Sequence, residues 1–95
     1  MAVAEKTSVI VNDYGVLARQ AAWLVHCANK FPADIYLKSN GKTGNAKSMQ
    51  SVMSMDLVEG DEITITADGA DSEETATKIK EIIDSFEDRL WWSNE

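Results

Sequence analysis

Ile35-Tyr36-Leu37-Lys38-Ser39-Asn40-Gly41-Lys42-Thr43-Gly44-Asn45 is the stretch on which the architecture of this chain turns. Ile35 and Leu37 alternate with Tyr36 and Lys38, the period-two pattern of a strand with one buried face. Asn40-Gly41 offers the two positive φ angles of a tight hairpin turn, so Lys42 to Asn45 is predicted to return antiparallel. A two-stranded hairpin is only marginally stable in water, so the flanking sequence must supply further strands or a cover.

It supplies both. Toward the N-terminus, Val9 and Val11 alternate with Ile10, predicting a strand from Thr7 to Asn12. A helix is expected from Leu17 to about Lys30, with Ala21, Leu24, Val25 and Ala28 facing the core and Pro32 stopping it. Toward the C-terminus, Ser48 precedes a short helix reaching about Ser54, and Glu59-Gly60-Asp61 turns the chain into a strand carrying Ile63, Ile65 and Ala67. Asp71 and Glu74 read as a capping box for a last helix whose apolar stripe is Ala76, Ile79, Ile83, Phe86 and Leu90. The order βαββαβα predicts an α+β domain spanning 1–95. Its four-stranded, mostly antiparallel sheet would be covered on one face by three helices.

The bulk properties exclude several classes of function. At 44% hydrophobic and 26% charged, the chain has the composition of a folded domain. No apolar run approaches the roughly 20 residues of a membrane span. Met1 to Lys6 shows no basic stretch leading into an apolar one, and the single cysteine, Cys27, cannot close an internal disulfide; a cytoplasmic protein is expected. A formal charge of −7 repels nucleic acid, and Tyr36 is the lone aromatic in the predicted strands, which argues against an RNA-binding domain of the same element order. His26 has no companions at ligand spacing, so neither a metal nor a cofactor is expected.

Gly15-Val16-Leu17-Ala18-Arg19-Gln20-Ala21 resembles the Gly-Φ-His-Ala-Arg-Pro-Ala signature of HPr, the histidine phosphocarrier of the bacterial sugar phosphotransferase system. Asn45 to Met55 resembles the family's Lys-Ser-Ile-Met-Gly-Val-Met-Ser segment at the expected distance downstream. Phe31, the Asp34 to Leu37 run, the Asn40-Gly41-Lys42 turn, and Ile63 to Thr66 before Asp68-Gly69-Ala70-Asp71 also match, so the likeness covers roughly residues 6 to 88. It implies the HPr-like open-faced β-sandwich. Two positions depart from the signature: Leu17 stands where the family has its phospho-acceptor histidine, and Gln20 where it has proline.

For the site, the resemblance implies a phosphate pocket at the start of the first helix, where the dipole favours an anion. Arg19 matches the family's phosphate-binding arginine and Ala18 the residue between, an anion-binding remnant if the site has lost its nucleophile. The plain alternative leaves Arg19 in solvent or beside a local carboxylate. Leu17 has no lone pair with which to attack phosphorus. Proline near a helix start presets φ, a rigidity that Gln20 is expected to give up. His26 lies nine residues further on, roughly 13 Å along a helix, and cannot replace the histidine.

Ser48 matches the family's regulatory serine, phosphorylated by a dedicated kinase, and equally suits a simple N-cap. A phosphate there is expected to stand beside the first helix's anion site. Trp23, Met49, Gln50 and Met53 fall in the region that the resemblance implies for partner binding, with Val52 reading as core and Cys27 as a bystander. Trp91 and Trp92 suggest one indole packed beneath the last helix and one turned toward solvent, a partner or a second copy.

Together these features suggest an HPr-like protein unable to carry phosphohistidine, acting as a regulatory binding module in carbon catabolite control. The family has a paralogue of that logic with glutamine at the histidine position. The implied partners are a HPr kinase/phosphorylase, a catabolite control transcription factor, or phosphotransferase enzymes. Two alternatives stand beside it: a phosphocarrier using a non-standard site or with Leu17 introduced deliberately, and a structural or oligomeric module. Phosphoryl uptake from phosphoenolpyruvate separates the first, and solution mass the second.

Overall fold

A computed structural model describes residues 2–11 and 15–87. β1 (Val3–Val9), α1 (Ala18–Ala28), β2 (Asp34–Ser39), β3 (Lys42–Asn45), α2 (Met49–Met53), β4 (Glu62–Asp68) and α3 (Ser72–Asp84) follow in the expected order, and a 3-10 turn (Ser85–Glu87) extends α3. The sheet order is β1-β4-β2-β3, and all three pairings are antiparallel. The β2–β3 hairpin closes through Asn40 (φ 52°) and Gly41 (φ 78°), as the sequence pattern requires.

Alternation sorts the strands into two faces. Ile35, Leu37, Ile63, Ile65 and Ala67 are buried, and they pack with Ala21, Leu24 and Ala28 of α1, Val52 of α2, and Ala76, Ile79 and Ile83 of α3. Asp34, Tyr36 and Lys38 of β2 and Glu5 and Thr7 of β1 face outward. The helices therefore cover one face and leave the other open, the α+β open-faced sandwich.

Two expectations shift. β1 runs Val3–Val9, not Thr7 to Asn12, and only Ile10 of the Val9-Ile10-Val11 run is buried. The core-facing positions of β1 are Ala4, Lys6 and Ser8, two of them polar, and α3 supplies their partners. Lys6 pairs with Glu73 at 2.9 Å and the Ser8 hydroxyl donates to Asp84 at 2.5 Å. Asp71 is the N-cap of α3, yet its backbone is left-handed (φ 58°) and its side chain makes no cap hydrogen bond. A side-chain cap needs an extended backbone at that residue, so the expected capping box does not form. Glu73 and Glu74 still place negative charge in the first turn, where the helix dipole favours it. Leu90, Trp91 and Trp92 lie outside the described residues.

Candidate functional site

The start of α1 is held by a backbone clamp. Gly15 adopts φ 70°, and a Cβ there would meet the Leu57 carbonyl oxygen at 2.4 Å and the Val58 Cα at 2.9 Å. Only glycine lets the chain pass that close to the segment following α2. Val16 then donates its N–H to the Leu57 carbonyl at 3.0 Å, which fixes where the helix begins.

Leu17 is the N-cap, with extended backbone (φ −93°, ψ −179°), and its side chain is 51% exposed. It has no side-chain acceptor for the helix amides. The reciprocal half of a capping box is nevertheless present: Gln20, three residues on and only 3% exposed, accepts the Leu17 N–H through Oε1 at 3.1 Å. The first intrahelical backbone bond runs from Ala21 N–H to the Leu17 carbonyl at 2.9 Å. The amide of residue 20 thus precedes the helical ladder, which is why either proline or glutamine can stand there. Gln20 restores by hydrogen bonding the order that proline would give by ring closure, a role missed in the sequence. The glutamine three residues after the helix's first capping position was the available signal.

Ala18 and Arg19 are exposed at this helix end, at the positive pole of α1. The helix dipole there favours negative charge, and the exposed atoms of Leu17 beside it can only pack. His26 is exposed near the other end of α1, its ring 5.8 Å from that of Trp23 and tilted by 33°. Burial pushes the Cys27 thiol up, against a smaller lowering by Lys30, so this cysteine is a poor nucleophile. Among the described residues no cluster of three metal-ligating side chains occurs.

Ser48 caps α2, its Oγ accepting the Ser51 N–H at 3.2 Å. Its surroundings differ from expectation. The neighbouring Lys47 extends Nζ to the Phe31 carbonyl at 2.7 Å, and Asn29 donates through Nδ2 to the Lys47 carbonyl at 3.2 Å and to the Val25 carbonyl at 2.9 Å. These bonds tie the start of α2 to the C-terminal end of α1, whereas the segment after α2 meets the start of α1 at Gly15 and Val16. Ser48 stands toward the far end of α1 from Leu17, not beside the anion site.

Met49 and Met53, four residues apart, share a face of α2 and are 36% and 38% exposed; Gln50 is exposed beside them, while Val52 and Met55 are buried. Trp23 is 42% exposed on α1. Among the described residues, the two methionines, Trp23 and Leu17 are exposed apolar groups on the outward sides of α1 and α2. No helix among the described residues is long and apolar enough to cross a membrane.

This geometry has close counterparts. The family model described as "PTS HPr component phosphorylation site" matches residues 4–85. The chain is similar to the phosphocarrier protein HPr of Bacillus anthracis str. Ames, at 39% identity and a TM-score of 0.81 over 86% of this chain and 98% of that one. It is similar to Crh, the catabolite repression containing protein of Bacillus subtilis, described as a dimer with a swapping domain. That match has 38% identity and a TM-score of 0.69 over 77% of this chain and 84% of that one. It is also similar to an HPr dimer from Thermoanaerobacter tengcongensis, at 36% identity and a TM-score of 0.64 over 85% and 90% of the two chains. With the fold, the clamped helix start and a family match over most of its length, the chain belongs to the HPr family of the phosphotransferase system.

Proposed function

We propose that this HPr-family protein works by protein contact in carbon catabolite control and does not carry a phosphohistidine. The observation that carries the reading is Leu17: a half-exposed aliphatic side chain at the helix start, where the resemblance places the phospho-acceptor. Arg19 and the α1 dipole remain as an anion-binding remnant without a nucleophile. His26 belongs to the other end of the helix, and the Cys27 thiol is held protonated by burial.

The binding surface in this reading is the exposed Trp23 with Met49, Gln50 and Met53. Ser48 is its switch. A HPr kinase/phosphorylase would add a doubly charged phosphate at the α2 start, where Lys47 stands next in the chain. The phosphate then competes with the Phe31 carbonyl for the Lys47 ammonium, which alters the link between α1 and α2. The downstream partner is a catabolite control transcription factor or a phosphotransferase enzyme bound without transfer.

The test is a paired labelling experiment. Incubation with phosphoenolpyruvate and enzyme I is expected to leave the intact mass unchanged, while a HPr kinase with ATP adds one acid-stable phosphate that Ser48→Ala abolishes. Acid-labile phosphate after the first incubation would overturn the loss of carrier chemistry. Undiminished labelling of Ser48→Ala would overturn the switch.

A further inference from the structure

The C-terminal end of α1 and the outer side of α3 leave a groove of about 340 Å³, within the ~300–1,000 Å³ range of sites that hold a small organic molecule. Phe31 and Ile82, both partly buried against the core, form its apolar wall together with Cys27. Hydrogen bonds set the α1 side of this wall in advance. The Phe31 N–H donates to the Ala28 carbonyl at 3.2 Å, the Phe31 carbonyl accepts from Lys47 Nζ at 2.7 Å, and the Lys30 N–H donates to the Cys27 carbonyl at 3.1 Å. Lys30 and Lys78 are exposed at the edge. Neither the helix-start site nor the Trp23 and methionine surface uses the groove's lining residues.

Charge at the edge favours an anion. Two ammonium groups stand there against the single carboxylate of Glu81, on a chain whose formal charge is −7. Glu81 is 3.8 Å from Lys78 and both side chains are more than half exposed, a pairing that neutralises little. The Lys30 charge reaches the wall itself, where it lowers the Cys27 thiol against the larger rise from burial. We propose that the groove binds a small amphipathic anion, an aryl or short alkyl body resting on Phe31 and Ile82 with its carboxylate or phosphate head near Lys30 and Lys78. The apolar wall disfavours a polyhydroxylated anion such as a sugar phosphate, whose hydroxyls would lose water without gaining partners. Size disfavours a protein occupant, since a stable protein interface buries about 800 Å² on each side and this groove seats one organic group.

Naphthalene-2-carboxylate is the probe. Titrated into the nitrogen-15-labelled full chain, it is expected to shift the amides of Cys27, Lys30, Phe31 and Ile82 saturably, with a Kd on the order of 1 mM for so small a ligand. The neutral naphthalene-2-carboxamide, and the carboxylate on the Lys30→Gln/Lys78→Gln variant, are each expected to bind about tenfold more weakly, the loss of one charge-assisted contact. Both lysines are exposed, so the variant keeps the fold. Glucose 6-phosphate, an anion without an apolar body, is expected to leave the groove amides unmoved. Occupancy also shields Cys27, the chain's single cysteine. At ten times the measured Kd, alkylation of Cys27 by N-ethylmaleimide is expected to slow about tenfold. The proposal is overturned by shifts that do not saturate, by shifts centred on Ala18 and Arg19, which assign the anion to the helix start, or by equal affinity for the carboxylate and the amide. An alkylation rate indifferent to the probe overturns it too. So does protection of Cys27 without any probe that is lost on dilution together with a fall from dimer to monomer mass, which assigns the groove to a second copy.

Discussion

Gln20 turns its buried side chain back to the backbone of Leu17, accepting the Leu17 N–H at 3.1 Å beneath a leucine that is itself half exposed. The two residues that depart from the family signature are thus joined to one another. The order that a proline would impose on this turn is supplied instead by a hydrogen bond.

Gln20→Ala is therefore expected to lower stability by about 1 kcal/mol, the net worth of one such hydrogen bond with its acceptor removed. Denaturant melts with the parent's slope and a lower midpoint would show this. An unchanged midpoint would mean that water replaces the amide oxygen without cost.

Gly15→Ala is expected to cost more, at least about 2 kcal/mol, because it combines left-handed backbone with a clash against main chain. The atoms a methyl group would meet are the Leu57 carbonyl and the Val58 Cα, which have no rotamer to escape into. Gly41→Ala is the control, since its Cβ would meet nothing within 4 Å and only the φ strain remains. A glycine-to-alanine cost no larger at 15 than at 41 would sink the clamp at the start of α1.

Much of this was legible from local chemistry. The Asn40-Gly41 turn, the Ser48 cap and the Ile63-Ile65-Ala67 alternation each act within a few residues, and each stands where the sequence put it. β1 was misplaced because its inward Lys6 and Ser8 are satisfied by Glu73 and Asp84, more than sixty residues away. A polar residue on a core face reads as surface until its partner is known. Asp71 failed as a side-chain cap because its backbone φ, set by the entry into α3, is not a property of the residue alone. The family resemblance located the helix-start site, whereas the position of Ser48 near the other end of α1 needed the Asn29 and Lys47 contacts.

Acid should probe two carboxylates. Hydrogen bonds from the Val58 N–H and Asn40 Nδ2, with the charge of Lys42, hold Asp61 below its ordinary range despite some desolvation. At Asp84 burial pushes upward, but hydrogen bonds from Lys80 and Ser8 and the Lys80 charge outweigh it, so the net direction is also down. A carboxyl depressed in the folded state contributes stability above the unfolded value, and that contribution is lost as pH falls through the folded one. The melting temperature of the parent is therefore expected to fall below about pH 4. Asp61→Asn and Asp84→Asn should each start lower at neutral pH and show a shallower acid limb. Acid limbs parallel to the parent's would remove both groups from the account.

Restoring the nucleophile is the sharpest test of what the helix start still contains. Leu17→His with Gln20→Pro returns both signature positions, and the rest of the geometry needed to hold them is in place. Gly15 and Val16 fix the entry to α1 against Leu57, Arg19 is exposed at its positive end, and the residue-20 amide lies ahead of the helical ladder, so proline breaks no intrahelical bond. A new imidazole would therefore stand at a site that already favours the transferred anion. With phosphoenolpyruvate and enzyme I, the double variant is expected to take up acid-labile phosphate where the parent takes none. Adding Arg19→Ala should weaken that uptake by removing a charged partner for the phosphate oxygens. If the double variant is folded and still unlabelled, the loss extends beyond the nucleophile, and the proposed contact surface of Trp23, Met49 and Met53 is the next place to test.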